Sequence, residues 1–218
     1  MISRLRQLRF SVLFFLFFFG SIIGFILEGL WCILKRGHWE NHSATVFGPF
    51  CIIYGLGMVA FYLLSIFINR KNIFIQFLLS GLTGSGLEFL ASLFQELVFG
   101  STSWDYSGHP FNLCGRISLR MTAIWGLLGL LFVRFVFPFI EWLLPLSDNK
   151  VVNASGMVLA IFMAINLLVT SAAVVRWQGR SVGVEPKNQI EKRIDEIYCD
   201  EKMKKIYPNM VFKTFEEE

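Results

Sequence analysis

The chain has 218 residues, of which 55% are hydrophobic and 17% are charged, and its mean hydropathy is +0.57. A soluble domain carries about 25% charged residues, so the composition excludes that class and predicts an integral membrane protein. The net charge of +4 comes from basic residues that stand singly or in pairs near helix ends, which indicates a lipid bilayer and no nucleic acid as partner.

The N-terminal segment, residues 1–9, is basic, and a Phe-rich apolar run follows it. The run is longer than the apolar core of a secretory signal, and no small-x-small cleavage site follows it. We therefore expect the run to remain in the protein as the first membrane helix.

Five segments reach the length of about 20 apolar residues that a helix needs to cross a bilayer. The short link Asn69–Asn72 predicts an antiparallel hairpin of the second and third helices, and Pro138 and Pro145 are expected to end the fourth. The sequence therefore predicts an all-α, polytopic membrane protein with five transmembrane helices in residues 10–175. The expected spans are Phe10–Leu34, Phe47–Ile68, Ile73–Phe99, Leu113–Phe137 and Val151–Val175.

The C-terminal tail, residues 176–218, carries nine basic and nine acidic residues. Glu, Lys and Ile are spaced amphipathically over Glu185–Tyr207, which predicts helix there, and Pro208 is expected to stop it. We interpret the tail as a charged, partly helical soluble segment.

Alternating passage through the membrane places both longer loops, Lys35–Val46 and Gly100–Asn112, on one side together with the tail. Lys and Arg are more frequent at the other helix ends, which favours an N-terminus inside the cell, whereas Arg176, Arg180 and Lys187 of the tail favour the opposite orientation. The residues that favour the inside N-terminus are Arg4, Arg6, Arg9, Arg70, Lys71 and Lys150.

Four ionisable residues lie inside apolar runs: Glu28, Glu88, Arg120 and Arg134. A charge at mid-bilayer costs from about 2.5 to more than 10 kcal/mol, so each is expected to find a partner, a wet cavity or the headgroups. Arg134 lies near the opposite surface and is expected to snorkel.

Helical spacing arranges these residues in three stripes with small residues, which allow helices to approach closely. We therefore expect the stripes to face each other and to form a polar pocket in one leaflet. The stripes are Gly20, Gly24 and Glu28; Gly81, Gly84, Glu88, Ser92 and Gln95; and Arg116, Arg120, Ala123, Leu127 and Arg134. The expected pocket residues are Glu28, Glu88, Glu96, Arg116 and Arg120.

Two interpretations of this pocket stay open. The charges could be ion pairs that lock helices one, three and four together, in which case Arg120→Leu should destabilise the protein more than Arg134→Leu. Alternatively, they could line a cavity for a small solute or cation. Glu88 is the deepest carboxylate and the candidate titrating group.

A loop motif, Trp104-Asp105-Tyr106-Ser107, is followed by Asn112. Trp and Tyr favour the headgroup region and Asp with Ser favours a turn, so the motif predicts an interfacial turn or, alternatively, a gate over the pocket.

A second motif, Gly48-Pro49 with Tyr54-Gly55-x-Gly57, opens the second helix. It could be a loosely wound helix start packed closely on a neighbour, or irregular backbone that offers carbonyl groups to a solute. Tyr54 joins the loop motif as a candidate gate residue.

The histidines and cysteines give no strong signal. His38, His42 and His109 are interpreted as polar loop residues, so we predict no metal site, although His38 and His42 stand four residues apart. We expect no disulfide framework, since the four cysteines lack C-x-x-C spacing and Cys in apolar runs behaves as a small hydrophobe. The four are Cys32, Cys51, Cys114 and Cys199. We also expect no cofactor.

These motifs, together with Glu28, Gly86-Leu87-Glu88-Phe89, Asn112-Leu113-x-Gly115-Arg116-Ile117 and Trp125-Gly126, resemble the bacterial membrane-protein family labelled putative ABC-transporter type IV. The resemblance covers about residues 24–138. It departs at Ile52-Ile53, where the family has Pro-Ile, and at Asn41–Thr45, which lacks an expected Arg-Gly. The resemblance implies a transport role, and any use of ATP would need a separate ATPase chain because the sequence has no G-x-x-x-x-G-K-[ST] motif.

We therefore expect a multi-pass transporter or permease component of the bacterial cytoplasmic membrane, working with other chains or as a homo-oligomer. One alternative is a membrane scaffold or sensor whose tail binds a partner. An intramembrane enzyme is disfavoured, because no helix carries a Ser/His or H-E-x-x-H arrangement.

Overall fold

The computed structural model describes residues 8–212, so most of the basic N-terminal segment and the last six residues lie outside the described part of the chain. The first helix, α1 (Phe10–Arg36), is continuous and slightly longer than predicted. Gly37 ends it with a φ of 78°, in the left-handed region that glycine adopts without strain.

Helix α2 (Ile52–Ile68) is shorter than the predicted Phe47–Ile68. The preceding backbone is irregular because Gly48 takes a φ of 79° and Pro49 follows it. The side chain of Asn166 satisfies both backbone groups of Phe47, accepting from its N–H at 3.2 Å and donating to its carbonyl at 2.7 Å. The Phe47 carbonyl therefore accepts a hydrogen bond from a protein side chain, so it is not a free carbonyl group of the kind that could be offered to a solute.

Helix α3 (Ile73–Phe99) has the predicted bounds. Asn72 caps it by accepting a hydrogen bond from the N–H of Ile75. The buried side chain of Gln76 donates to the carbonyls of Ile68 and Asn69 at 3.0 Å each, which closes the α2–α3 hairpin.

The fourth span differs from the prediction at both ends. Its residues 113–118 belong to a hairpin of β2 (Asn112–Leu113) and β3 (Ile117–Ser118), which follows β1 (Ser101–Thr102). Helix begins only at Leu119, where the Ser118 side chain caps it.

Helical structure also continues beyond Pro138 and Pro145, which the sequence predicted as its end. A π-helical turn precedes Pro138, which then stands in the first turn of the next segment, where a proline needs no N–H partner. The consecutive segments are α4 (Leu119–Leu131), the π turn Phe132–Val136, α5 (Phe137–Leu143) and the 3-10 turn Leu144–Asp148.

The last membrane helix, α6 (Lys150–Ser181), is longer than the predicted Val151–Val175. The predicted tail helix is present as two shorter ones, α7 (Gln189–Ile197) and α8 (Asp200–Ile206). The final strand, β4 (Val211–Phe212), pairs antiparallel with β1.

The tail is docked on the loop end of the bundle. Its apolar residues form a cluster with the end of α6, and Arg176 of α6 binds Asp195 of α7 with nitrogen–oxygen distances of 2.6 and 3.0 Å. The hydrogen bond from Arg176 lowers the pKa of Asp195. The cluster residues are Ala173, Val174, Trp177, Tyr198, Met203 and Tyr207.

A second apolar cluster lies where α1, α2, α4 and α5 meet, around Tyr62 and Trp125. In the described part of the chain, four helical segments are long and apolar enough to cross a membrane, whereas α2 has only 17 residues. Large apolar side chains such as Phe19, Leu90 and Leu168 are exposed on these segments, as expected for a surface in contact with lipid. The fold is that of an all-α, multi-pass membrane protein; five spans were predicted, and four helices have the full length.

Candidate functional site

The glycine stripe of α1 places α2 close enough for Tyr54 to reach Glu28. A Cβ on Gly24 would lie 2.2 Å from the Cβ of Tyr54, and one on Gly55 would lie 2.5 Å from the carbonyl oxygen of Phe17. Only glycine permits this approach of the two helices. The Tyr54 hydroxyl donates to Glu28 Oε1 at 2.6 Å.

Glu88 is the most enclosed carboxylate of the membrane region, with 4% of its surface exposed. The Tyr106 hydroxyl donates to one of its oxygens and Trp125 Nε1 donates to the other, each at 2.8 Å. Gly84, one turn before Glu88, makes room for Trp125, because a Cβ there would lie 2.5 Å from the indole Cγ. The carboxylate is thus held from the loop on one side and from α4 on the other.

Aromatic contacts join the two carboxylates. The rings of Tyr54 and Trp125 lie 5.5 Å apart between centroids, so Glu28, Tyr54, Trp125, Glu88 and Tyr106 form one connected group, which we call the two-carboxylate network. Within residues 8–212, neither Glu28 nor Glu88 forms a salt bridge, and their hydrogen-bond donors are neutral.

Burial, and then the charge of Glu88, raise the pKa of the Tyr106 hydroxyl above its ordinary value. Tyr106 therefore keeps its proton at neutral pH and acts as a hydrogen-bond donor. When a carboxylate fixed by neutral donors in a low-dielectric region is ionised, its negative charge is unbalanced, which favours binding of a proton or a cation.

Glu96 and Arg116, two further predicted pocket residues, form an ion pair with a nitrogen–oxygen distance of 2.5 Å. Arg116 also donates to Ser92 Oγ at 3.0 Å and stands 5.8 Å from the ring centroid of Phe89. These contacts tie α3 to the hairpin before α4.

The loop between α3 and α4 is shaped by its own polar residues. Asp105 accepts from the N–H and the hydroxyl of Ser107, and Trp104 Nε1 donates to the Arg116 carbonyl at 3.1 Å. The Asn112 amide donates to the carbonyls of Ser107 and His109. The motif residues thus fix the loop that carries Tyr106 to Glu88, and only Tyr106 among them contacts that carboxylate.

A family model described as "Putative ABC-transporter type IV" matches residues 15–171, which include the whole two-carboxylate network. The chain belongs to this family. No curated protein and no solved structure matches it.

In this member of the type IV family, the third predicted stripe faces the wrong way. Arg120, Ala123 and Leu127 are exposed, whereas the buried face of α4 carries Trp125, Gly126 and Gly129. The prediction that Arg120 points into the pocket is therefore wrong. Within residues 8–212, Arg120 forms no salt bridge. The predicted stripe required one regular helix from residue 113, but the helix begins at Leu119. Arg116 therefore lies outside the helix, and its spacing from Arg120 does not place the two side chains on one helix face.

Arg134, which was expected to reach the headgroups, has a hydrogen-bond partner within the protein. Its Nε donates to Oε1 of the buried Gln76 at 2.8 Å, which links the π turn after α4 to the start of α3.

Trp125 was not predicted as a residue of the pocket. The signal available was a tryptophan in the middle of a membrane helix, where the indole N–H needs an acceptor, together with Gly84 and Glu88 one turn apart on α3. Ser85 and Thr122, whose hydroxyl oxygens lie 2.7 Å apart, were also missed as a polar contact between α3 and α4.

Proposed function

We propose that the chain is a membrane-embedded transport component in which Glu88, together with Glu28, takes up a proton or a small monovalent cation. The observation that carries this proposal is the setting of Glu88, a carboxylate almost fully removed from solvent and held by a tyrosine hydroxyl and an indole N–H.

The two donors orient the carboxylate without neutralising it. Each oxygen of Glu88 accepts one neutral hydrogen bond and keeps a further lone pair, to which a proton or a cation can bind. A protein selected only for stability would place an apolar residue or an ion pair at such a position, because an unbalanced buried charge is costly. Buried carboxylates of this kind are typical of ion and proton pathways.

The loop between α3 and α4 fits the role of a gate. Tyr106 is its one contact with Glu88 among the motif residues, and the Asp105 and Asn112 bonds lie within the loop. Movement of this loop would release one donor from Glu88 and open the site toward that side of the membrane.

The pathway would need more than this chain. Helix α2 begins at the loop end of α1 and leads back to α3, so we propose it as a fifth, short span of about 26 Å at 1.5 Å per residue. Five helices make a thin wall around a pathway, so the transport unit is proposed to be a homo-oligomer or a complex with a separate ATPase chain, in a cytoplasmic membrane of bacterial type.

The proposal predicts that Glu88→Gln abolishes cation flux and leaves the fold intact, because glutamine retains hydrogen-bonding groups at nearly the same positions and cannot release a proton. Proteoliposomes containing a pH-sensitive or Na⁺-sensitive dye, energised by a K⁺ diffusion potential, would measure the flux. We expect it to fall to the level of empty vesicles. Glu88→Asp should retain part of it.

The matched control is Glu196→Gln on the exposed face of α7, which should keep the wild-type rate. Melting temperatures in detergent would confirm that both variants fold. Wild-type flux in Glu88→Gln would remove this carboxylate from the mechanism.

A membrane scaffold or sensor is the second candidate. The observation that favours it is the exposed apolar surface of α7, where Ile190 and Ile197 stand among charged residues, as in a helix that binds a partner. This candidate predicts that deletion of residues 182–218 abolishes function in cells, whereas Glu88→Gln has little effect.

A further inference from the structure

The last turn of α1 and the loop after it bring a thiol, a carboxylate and an imidazole together. Cys32 Sγ lies 3.1 Å from His42 Nε2 and 4.0 Å from Glu40 Oε2, and the histidine nitrogen lies 3.7 Å from the same carboxylate oxygen. All three ligand atoms lie within 4.8 Å of one another. They belong to a different set of residues from the two-carboxylate network.

These separations match those between the ligands of a zinc ion. Sulfur, nitrogen and oxygen ligands bind Zn²⁺ at about 2.0–2.3 Å in a tetrahedral arrangement, so two of them stand about 3.3–3.6 Å apart. The three observed distances bracket this range, and shifts of about half an ångström would bring the atoms to it. Hard cations such as Mg²⁺ avoid thiolate, whereas Zn²⁺ accepts this mixed set of ligands.

The surroundings of Glu40 orient it for this role. Its Oε1 binds the Arg36 guanidinium and lies 3.3 Å from His38 Nε2, which leaves Oε2 directed toward Cys32 and His42. Carboxylates that bind metals are commonly held in place by outer hydrogen bonds of this kind.

The cluster is sheltered but accessible. Cys32 is 5% exposed, and the side chains of Glu40 and His42 are 15% and 24% exposed. Two of the three ligand side chains are therefore partly open to solvent. The loop histidines were interpreted as polar loop residues and Cys32 as a small hydrophobe in an apolar run, so this cluster was not predicted.

We propose that Cys32, Glu40 and His42 bind one Zn²⁺ ion, with the fourth position left to water or an external ligand. The ion would join the end of α1 to the loop over residues 37–51. That loop contacts α6 through the Val46 N–H and Thr170 Oγ1 at 3.0 Å. Zinc would therefore stabilise the packing of the loop on the rest of the protein.

The full-length protein, purified in detergent with any affinity tag removed, tests this inference. After treatment with EDTA and dialysis against Zn²⁺, elemental analysis should give about one zinc per chain. Co²⁺ added in place of Zn²⁺ should produce the intense near-ultraviolet absorption of a cobalt–thiolate bond. The cobalt spectrum needs no variant, so it tests the site even where a substitution harms folding.

Competition with a chromogenic chelator would then measure the contribution of each ligand. Loss of an outer partner alone weakens metal sites by about 10–100-fold, so Cys32→Ser, Glu40→Gln and His42→Gln should each weaken Zn²⁺ binding by at least about tenfold. Cys199→Ser in the tail and His109→Gln in the other loop are the matched controls, and both should bind zinc as the wild type does.

Three results would overturn the inference. They are less than about a tenth of a zinc ion per wild-type chain, a cobalt complex without the thiolate band, or zinc binding that survives both Cys32→Ser and His42→Gln. The measurement uses no flux, so failure of the transport proposal would leave its outcome unaffected.

Discussion

The tail and the membrane region treat enclosed carboxylates in opposite ways. Asp195, at the junction of the tail with α6, binds two arginines, Arg176 and Arg180. Within residues 8–212, the hydrogen-bond donors to the more deeply enclosed Glu88 are neutral, namely Tyr106 and Trp125. The arginines neutralise Asp195, and docking of the tail on α6 accounts for this arrangement. The arrangement at Glu88 leaves charge unbalanced, which stability alone does not explain, and this difference points to function at Glu88.

Removing an arginine partner of Asp195 should cause the largest loss of stability. Arg176→Leu would leave Asp195 with Arg180 alone in a region that is 7% exposed at position 176, and we expect a loss of about 3 kcal/mol, at the low end for a broken buried pair. The tail should then become sensitive to limited proteolysis after Lys202, Lys204 and Lys205.

Arg193→Leu serves as the control for that substitution. Arg193 is exposed and binds Glu196 at 3.1 Å, and exposed pairs contribute about 0–1 kcal/mol. Equal proteolysis of the two variants would show that the Arg176 pairs do not hold the tail.

Alanine substitutions at two glycines of α3 test the surroundings of Glu88 without changing any charge. Gly84→Ala would place a methyl group 2.5 Å from Trp125 Cγ, so the indole must move. We expect a loss of about 1–3 kcal/mol, as for other overpacked sites, and a lower flux because Trp125 would no longer reach Glu88. Thermal unfolding in detergent and the proteoliposome assay measure the two effects.

Gly86→Ala is the natural control, since no atom of residues 8–212 lies within 4 Å of a Cβ there. It should change stability by no more than about 0.5 kcal/mol and leave flux unchanged. If the two alanine variants behave alike, close packing at Gly84 does not position Trp125.

The course of the chain through the membrane could be predicted in large part, because long apolar runs leave little choice but helix. The bounds of α3 match, and α1 is extended by two residues. The errors fall where local bonding overrides the apolar pattern. Asn166 holds the backbone at Phe47 in an irregular form before α2, and a π turn allows the fourth span to pass Pro138.

The candidate site was predictable on α1 and α3, where a regular helix keeps small residues and carboxylates on one face. The prediction was wrong on the fourth span, because the helix of that span starts six residues later than predicted, at Leu119 rather than Leu113. The bond between Tyr106 and Glu88, and the approach of His42 to Cys32, depend on loop conformation. Apolar periodicity carries no information on such contacts.

The smallest predicted effect separates two arginines on the fourth span. Arg134→Leu would leave Oε1 of the buried Gln76 without the guanidinium that now donates to it at 2.8 Å, at a cost of about 1–2 kcal/mol. Arg120→Leu should change stability by no more than about 0.5 kcal/mol, because Arg120 is exposed. This order is the reverse of the one expected from ion pairs between the helices. Thermal unfolding of both variants in the same detergent decides between them, and a greater loss for Arg120→Leu would favour ion pairs between the helices.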